Sequence, residues 1–382
     1  MKRQRAQLGE LCILVKGTSP ISKTRPGQYP LVTTGEEHRT ASTFQFDAEA
    51  VCIPLISSTG HGHASLKRVH YQSGKFALAN LLAAALINDR SILSAKFLAQ
   101  YLMFTKDRLI VPLMTGAANM SINLDRLAAV PIDFPSLSEQ EWIVNLMEEA
   151  DASRKLRAQA DRRTAALIPA LFHEMFGDPV VNPRRWKLKA VSEIADVQGG
   201  LQLTPLRDTY SMKRPYLRVA NVQRGFLVLD EIKEIGLLDS EYERTKLAKG
   251  DLLLVEGNGN PKEVGRAAIW DGSVANCVHQ NHLIRVRPHD DSHTSDYLLA
   301  FVNSESGRSY FHDSGKTTSG LVTISTRIVK NCRIPVPPLE LQKEFAERVT
   351  EIHALETAQA TSRTRLDALF QSMLYRAFKG EL

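Results

Sequence analysis

Cysteine is scarce in this chain: four in 382 residues, Cys12, Cys52, Cys277 and Cys332, with no two close in sequence. Scattered singly, they offer neither the short spacing of a zinc site nor the framework of a disulfide-stapled domain, and they fit a reducing cytoplasm. Long apolar runs are missing as well. The richest stretch, residues 76–87, falls short of the roughly 20 residues a membrane span needs, so no membrane partner is expected. The amino terminus, Met1-Lys2-Arg3-Gln4-Arg5, is basic, but no apolar signal core follows it. Low-complexity tracts are absent, and 43% hydrophobic and 24% charged residues are ordinary for a globular chain. Acidic residues are outnumbered: 48 Lys and Arg against 42 Asp and Glu give a net charge of +6, which suits a polyanionic partner.

Glycine is missing from residues 139–176, where Pro169 is the single proline. Ile143, Met147 and Ala150 share a helical face there, Ser138 with Gln140 and Glu141 reads as an N-cap, and Gly177-Asp178-Pro179 reads as the stop. One helix is expected over 139–177, about 55 Å long at ~1.5 Å per residue. A second follows Pro335-Val336-Pro337-Pro338 and occupies the segment 340–382. Its stripe, Phe345, Val349, Ile352, Leu355, Gln359, Ser362, Leu366, Leu369 and Met373, has the alternating three-and-four spacing of a coiled-coil seam.

The chain also repeats itself. Residues 115–178 overlie 317–380 with no gap: Thr115 meets Thr317, Ile122 meets Ile324, Pro135 meets Pro337, Gln140 meets Gln342, Arg163 meets Arg365 and Phe176 meets Phe378. A weaker match opens each half, Leu8-Gly9-Glu10-Leu11 against Val191-Ser192-Glu193-Ile194, and both lead to a glycine, Gly17 or Gly200. A repeat this long is a duplicated module and not a solenoid, whose units run about 20–50 residues. The globular parts, 1–138 and 178–339, carry short apolar runs between turns. Strands are expected near residues 29–33, 50–56, 76–87, 216–222, 251–256, 267–270 and 283–286, with helices near 95–103 and 295–303. The expected fold is α+β: two α/β domains separated by two long helices that pair antiparallel, with a pseudo-twofold relation.

Motifs of catalysis are incomplete. Gly315-Lys316-Thr317 resembles the end of a phosphate loop, but Tyr310 stands where that loop needs a glycine. Asn182-Pro183-Arg184-Arg185 lacks the second proline and the aromatic of an amino-methyltransferase motif, and His61-Gly62-His63 has no third metal ligand nearby. A stand-alone hydrolase with two pseudo-equivalent sites is the rival reading; no nucleophile–base pairing supports it. The chain is expected to be non-catalytic, with no metal site and no cofactor of its own.

Several segments taken together and in order resemble the specificity subunit of type I restriction–modification systems, over essentially the whole chain. They are Tyr216-Leu217-Arg218-Val219-Ala220-Asn221-Val222, Leu252-Leu253-Leu254-Val255-Glu256-Gly257, Val264-Gly265-Arg266-Ala267-Ala268-Ile269-Trp270, Cys277-Val278-His279-Gln280-Asn281-His282-Leu283 and Arg333-Ile334-Pro335-Val336-Pro337-Pro338-Leu339-Glu340-Leu341-Gln342. In the first half Ile132-Asp133-Phe134-Pro135 answers the last of these with one proline fewer. The resemblance implies two target recognition domains, each reading half of a bipartite, asymmetric site on double-stranded DNA. It implies that the helices act as spacer and as dock for methyltransferase subunits, with restriction–translocase subunits joining them. S-adenosylmethionine, ATP and Mg would belong to those partners.

Reading base edges asks for Arg, Lys, Asn and Gln on loops, and holding phosphates adds Ser, Thr and backbone amides. In the second half this selects Arg218, Asn221, Gln223, Arg224, Asn258, Asn260, Lys262, Gln280, Asn281, His282, Lys316, Thr317 and Thr318. In the first half it selects Thr33, Thr34, Ser57, Ser58, Thr59, His61, His63 and Asn119. The basic run Arg154, Lys155, Arg157, Arg162 and Arg163 reads as a solvated helix face that also suits phosphates or an acidic patch.

Overall fold

The computed structural model describes residues 3–35, 39–59, 64–116, 120–289, 294–318 and 321–379. The chain divides into two compact units, Met1–Ala158 with Thr361–Leu382, and Gln159–Ala360.

In the first unit an antiparallel sheet runs in the order Cys12–Lys16, Leu82–Ile87, Ala50–Pro54, His70–Gln72. Ala50–Pro54 is buried at every position because its alternate side chains enter two different cores. Val51 and Ile53 pack with Phe97, Leu98 and Tyr101 of the helix Ala95–Leu109. Ala50 and Cys52 pack with Leu31, Val32, Phe76 and Leu78 of a second sheet, ordered Arg39–Ala41, Tyr29–Val32, Lys75–Leu78, Phe46–Asp47. The apolar run 76–87 is thus two strands, Lys75–Leu78 and Leu82–Ile87, with a turn at Asn80-Leu81.

The second unit repeats this plan. Its antiparallel sheet is ordered Ala195–Gly199, Leu283–Pro288, Leu252–Val255, Ala267–Ile269. Leu252 and Leu254 face the core of helix Ser295–Asn303, whereas Leu253 and Val255 face Leu217 and Trp270. In both units one strand pair of the second sheet is parallel, Tyr29–Val32 with Lys75–Leu78 and Lys213–Leu217 with Val278–His279. The repeated glycines have one cause. A Cβ on Gly17 would strike the carbonyls of Leu78 and Ala79, and one on Gly200 those of His279 and Gln280.

Gln140 and Gln342, matched by the repeat, are fully buried. The Gln140 side-chain carbonyl accepts from Ser94 N (2.9 Å), and its amide donates to the carbonyls of Ile92 (2.8 Å) and Pro135 (2.9 Å). Gln342 accepts from Thr294 N (3.1 Å) and donates to Pro337 O (2.9 Å). Each glutamine therefore ties the N-cap of its domain helix to the proline segment that launches the long helix.

The expected helix over 139–177 is two helices, Leu137–Ala165 and Leu167–Phe176. Pro169 has no N–H for the carbonyl of Ala165 and crowds it, so the chain breaks at Ala166. The cap is Ser136 and not Ser138: Ser136 N (3.0 Å) and Oγ (2.7 Å) both donate to the Glu139 carboxylate. Leu339–Lys379 is one 41-residue helix. In the second unit it runs antiparallel to its partner, with Phe345 against Phe172 and Phe176 and Gln359 donating to Thr164 Oγ1 (3.0 Å). In the first unit Arg154 pairs with Asp367 (2.9 Å) and lies over the Phe370 ring (4.9 Å). Phe378 packs among Phe97, Tyr101 and Phe104, and Arg3 donates to the last helical carbonyls at Ala377 and Phe378. The seam differs from the expected stripe at two places. Leu355 is 45% exposed and Leu369 is 55% exposed, while their neighbours Glu356 and Phe370 are half-buried. The expected stripe takes two three-residue steps in a row, 349 to 352 to 355, whereas 349, 352, 356, 359 and 366, 370, 373 keep the strict three-and-four alternation of a heptad.

Three outcomes are expected for stability. Gln342→Ala orphans the buried Thr294 N–H and Pro337 carbonyl, and urea unfolding should show a loss of about 2–4 kcal/mol. Phe378→Ala should cost about 3–5 kcal/mol. Leu369→Asp, on the exposed face, should stay within about 0.5 kcal/mol of the parent in the same measurement.

Candidate nucleic-acid interface

In the second unit, loops far apart in sequence meet in one small sheet, ordered Gly257–Asn258, Leu321–Thr323, Lys316–Thr318. Gly257 pairs with Thr323 and Asn258 with Val322, and Lys316 pairs back to Thr323. Side chains then shape the loop beside it. Asn258 Oδ1 accepts from Asn260 N (2.9 Å), and Asn260 Oδ1 accepts from Lys262 N (3.2 Å), which opens a short 3-10 turn Pro261–Glu263. These bonds fix the backbone and leave the Asn258 and Asn260 amide NH₂ groups without a protein partner among the described residues. Asn260 and Lys262 are exposed.

Arg224 joins the same group. Its guanidinium donates to Lys262 O (3.0 Å) and Asn303 Oδ1 (3.2 Å). Burial, then the neighbouring Arg308 charge, lowers its pKa from the usual arginine value. Gln223 donates to Ala220 O (3.0 Å). Gln280, Asn281 and His282 follow the buried strand Val278–His279, and the backbone N of Gln280 and of Asn281 bond to Leu217 O and Leu201 O. His279 beneath them is fully buried, and burial pushes its pKa down to about 4, so it is neutral at ordinary pH. His282 Nδ1 lies 3.3 Å from the Glu256 carboxylate, a group whose pKa burial raises and His282 opposes.

Asn221 leaves the candidate set. It is 2% exposed, its Oδ1 accepts from Arg218 N (2.9 Å), and its amide donates to Val228 O (2.8 Å) and Glu231 O (3.0 Å). Thr33 leaves it as well: it is buried, and its hydroxyl accepts from Gly35 N (3.3 Å). Arg218 is held at Glu231 (3.3 Å), away from the small sheet's hydrogen bonds.

The first unit builds a counterpart. Ile122 N donates to Leu55 O (2.9 Å) just as Ile324 N donates to Glu256 O (2.8 Å), and Ser57 N donates to Met120 O (2.8 Å) where Asn258 pairs with Val322. Ser57, Ser58 and Thr59 thus occupy the places of Asn258, Gly259 and Asn260. Ser57 Oγ accepts from Ser65 N (3.0 Å) and Ser58 Oγ accepts from Lys67 N (3.0 Å), which adds Ser65 and Lys67 to the loop. Thr115 accepts from Arg126 (3.1 Å). His61, His63 and Asn119 lie outside the described residues, as do the side chains of Thr317 and Thr318. Of the basic helix run, Arg154 is engaged by Asp367 and Lys155 by Asp151 (2.9 Å). Among the described residues no group of three or more His, Cys, Asp and Glu is placed to hold a metal, and no helix is long and apolar enough to cross a membrane.

The sequence profile of the type I restriction modification DNA specificity domain matches residues 3–161 and again 183–364. The chain belongs to that family. The specificity subunit of the type I restriction enzyme EcoKI of Escherichia coli K12 is 29% identical over 73% of this chain and 64% of its own length. That of StySPI from Salmonella potsdam is 24% identical over 78% and 67%. This chain therefore spans about two thirds of the length of these curated relatives. Among solved structures, a type I S subunit from M. genitalium superposes over 99% of this chain and 96% of its own, with a TM-score of 0.57 at 16% identity. A chain from a study of assembly and conformational transition in a type I system covers 100% and 98%, with a TM-score of 0.62 at 19% identity. The specificity-domain fold is thus shared, and membership of the family gives no support to a stand-alone hydrolase.

Glu256, Ser65 and Lys67 were not selected from the sequence. Glu256 is found only from the matched backbone bonds of Ile122 to Leu55 and Ile324 to Glu256. Ser65 and Lys67 carry no sequence signal of their own.

Because Asn221 spends its amide on closing a specificity-domain loop, Asn221→Ala should lower stability by about 1–3 kcal/mol in thermal unfolding.

Proposed function

We propose that this chain is the DNA-reading subunit of a type I restriction–modification assembly, each unit reading one half of a bipartite, asymmetric site. The observation that carries this reading is a shared frame with unlike contents. The two units keep the same strand order in the main sheet and matching backbone hydrogen bonds at the loop, yet present Ser57-Ser58-Thr59 in one and Asn258-Gly259-Asn260 in the other. Asparagine amides such as Asn258 and Asn260 match adenine in the major groove, and an exposed lysine such as Lys262 holds phosphate. The net charge of +6 favours approach to DNA.

On this reading the chain does no chemistry itself. Methyltransferase subunits dock along the long helices and bring S-adenosylmethionine, restriction–translocase subunits bring ATP and Mg, and the assembly works in the cytoplasm. The helix pair sets the unread gap between half-sites.

The test measures DNA binding by the assembled complex across a salt series, with each half-site scrambled in turn. Asn260→Ala should weaken only the half-site read by the second unit, by about 1–3 kcal/mol. Lys262→Ala should also reduce the salt slope by about one. Equal weakening at both half-sites with an unchanged salt slope contradicts the assignment of this loop.

A further inference from the structure

The two units differ most sharply at one matched pair of positions. In the first unit Leu55 N donates to Leu81 O (2.8 Å), and in the second Glu256 N donates to His282 O (2.9 Å). Both backbones then accept the equivalent isoleucine amide, Ile122 or Ile324. The frame accepts two leucines here, so the fold does not require a carboxylate or an imidazole. Yet the second unit places a carboxylate with 28% of its side chain exposed beside an imidazole 53% exposed. Burying a charge costs stability unless it is paired, and the only side-chain partner of Glu256 among the described residues is His282 Nδ1, at 3.3 Å. A carboxylate only accepts, so Nδ1–H is the donor and His282 fixes the orientation of Oε2. Oε1 has no protein partner among the described residues.

An anionic group two residues before Asn258 is repelled by phosphate. What it can meet on DNA is an exocyclic amine. Adenine sets its N7 acceptor next to N6, and a carboxylate there faces a lone pair. The major-groove edge of cytosine offers N4–H₂ with no acceptor beside it on the same base.

We propose that Glu256 is a base-reading residue of the second unit, its carboxylate accepting from cytosine N4 in the major groove, with His282 as the positioning residue that holds it. This rests on the DNA-reading function proposed above. The pair sits where Gly257–Asn258 enters the small sheet, so the cytosine neighbours the base read by Asn258 or Asn260.

The experiment selects bound duplexes from a random library with the complex purified through this full chain, and sequences them. The parent should enrich a motif with an invariant cytosine in one half-site. Glu256→Gln, which turns an acceptor-only group into a mixed one, should relax that single position roughly tenfold and leave the other positions and the other half-site intact. His282→Leu should relax the same position, and His282→Gln, which keeps a donor, should restore it. The double variant Glu256→Leu with His282→Leu copies the pair of the first unit. It should melt no lower than the parent and show no preference for cytosine there. An unchanged motif in Glu256→Gln, or retained cytosine preference in the folded double variant, overturns the proposal while leaving the DNA-reading function standing. Relaxation at an adenine overturns the base assignment. Failure of the parent to enrich any motif removes the function itself, and this proposal with it.

Discussion

Gln140 and Gln342 sit where a β-rich body must hand over to a long helix. Each is wholly buried, and each spends its amide on two backbone segments that would otherwise face one another with unpaired groups. A buried orphan N–H or C=O costs about 1–3 kcal/mol, so the side chain's hydrogen bonds hold the helix start against the N-cap of the domain helix. Leucine or valine fills the space without the bonds, and serine is too short to reach both segments. This clamp, present twice, ties each sheet-rich body to the start of its long helix, and the candidate loops belong to the same repeated frame.

The frame was largely legible in the sequence, because its signals are periodic or repeated. The 202-residue shift matched Gln140 with Gln342 and the two launching proline segments, the weaker match that opens each half paired Gly17 with Gly200, and the apolar runs at 50–56 and 251–256 marked strands. Errors arose where one local feature outweighed the pattern. Pro169 broke a helix that the lack of glycine had made look continuous. Ser136 captured Glu139 and moved the cap two residues earlier. Leu369 was placed in the seam because the stripe followed leucine from residue to residue; the strict three-and-four alternation from 366 leads to Phe370 and Met373 instead.

The interface was less legible. Residue type selects asparagine and lysine on loops but does not say which way an amide points. Asn221 and Asn258 look alike in sequence; one is walled in by Arg218, Val228 and Glu231, while the other keeps its NH₂ group without a protein partner. Nor does type say which loops meet. Gly257 and Asn258 meet Thr323 and Val322 through strand pairing, and Glu256 becomes visible as an exception only when set against Leu55. The candidate positions are those where the two units share a backbone and disagree in side chain.

That contrast between one frame and two unlike readers is the central claim, and mapping every methylated base in DNA exposed to the whole complex tests it most directly. The account predicts a bipartite motif with two different half-sites separated by a fixed unread gap. A continuous palindromic motif would contradict it.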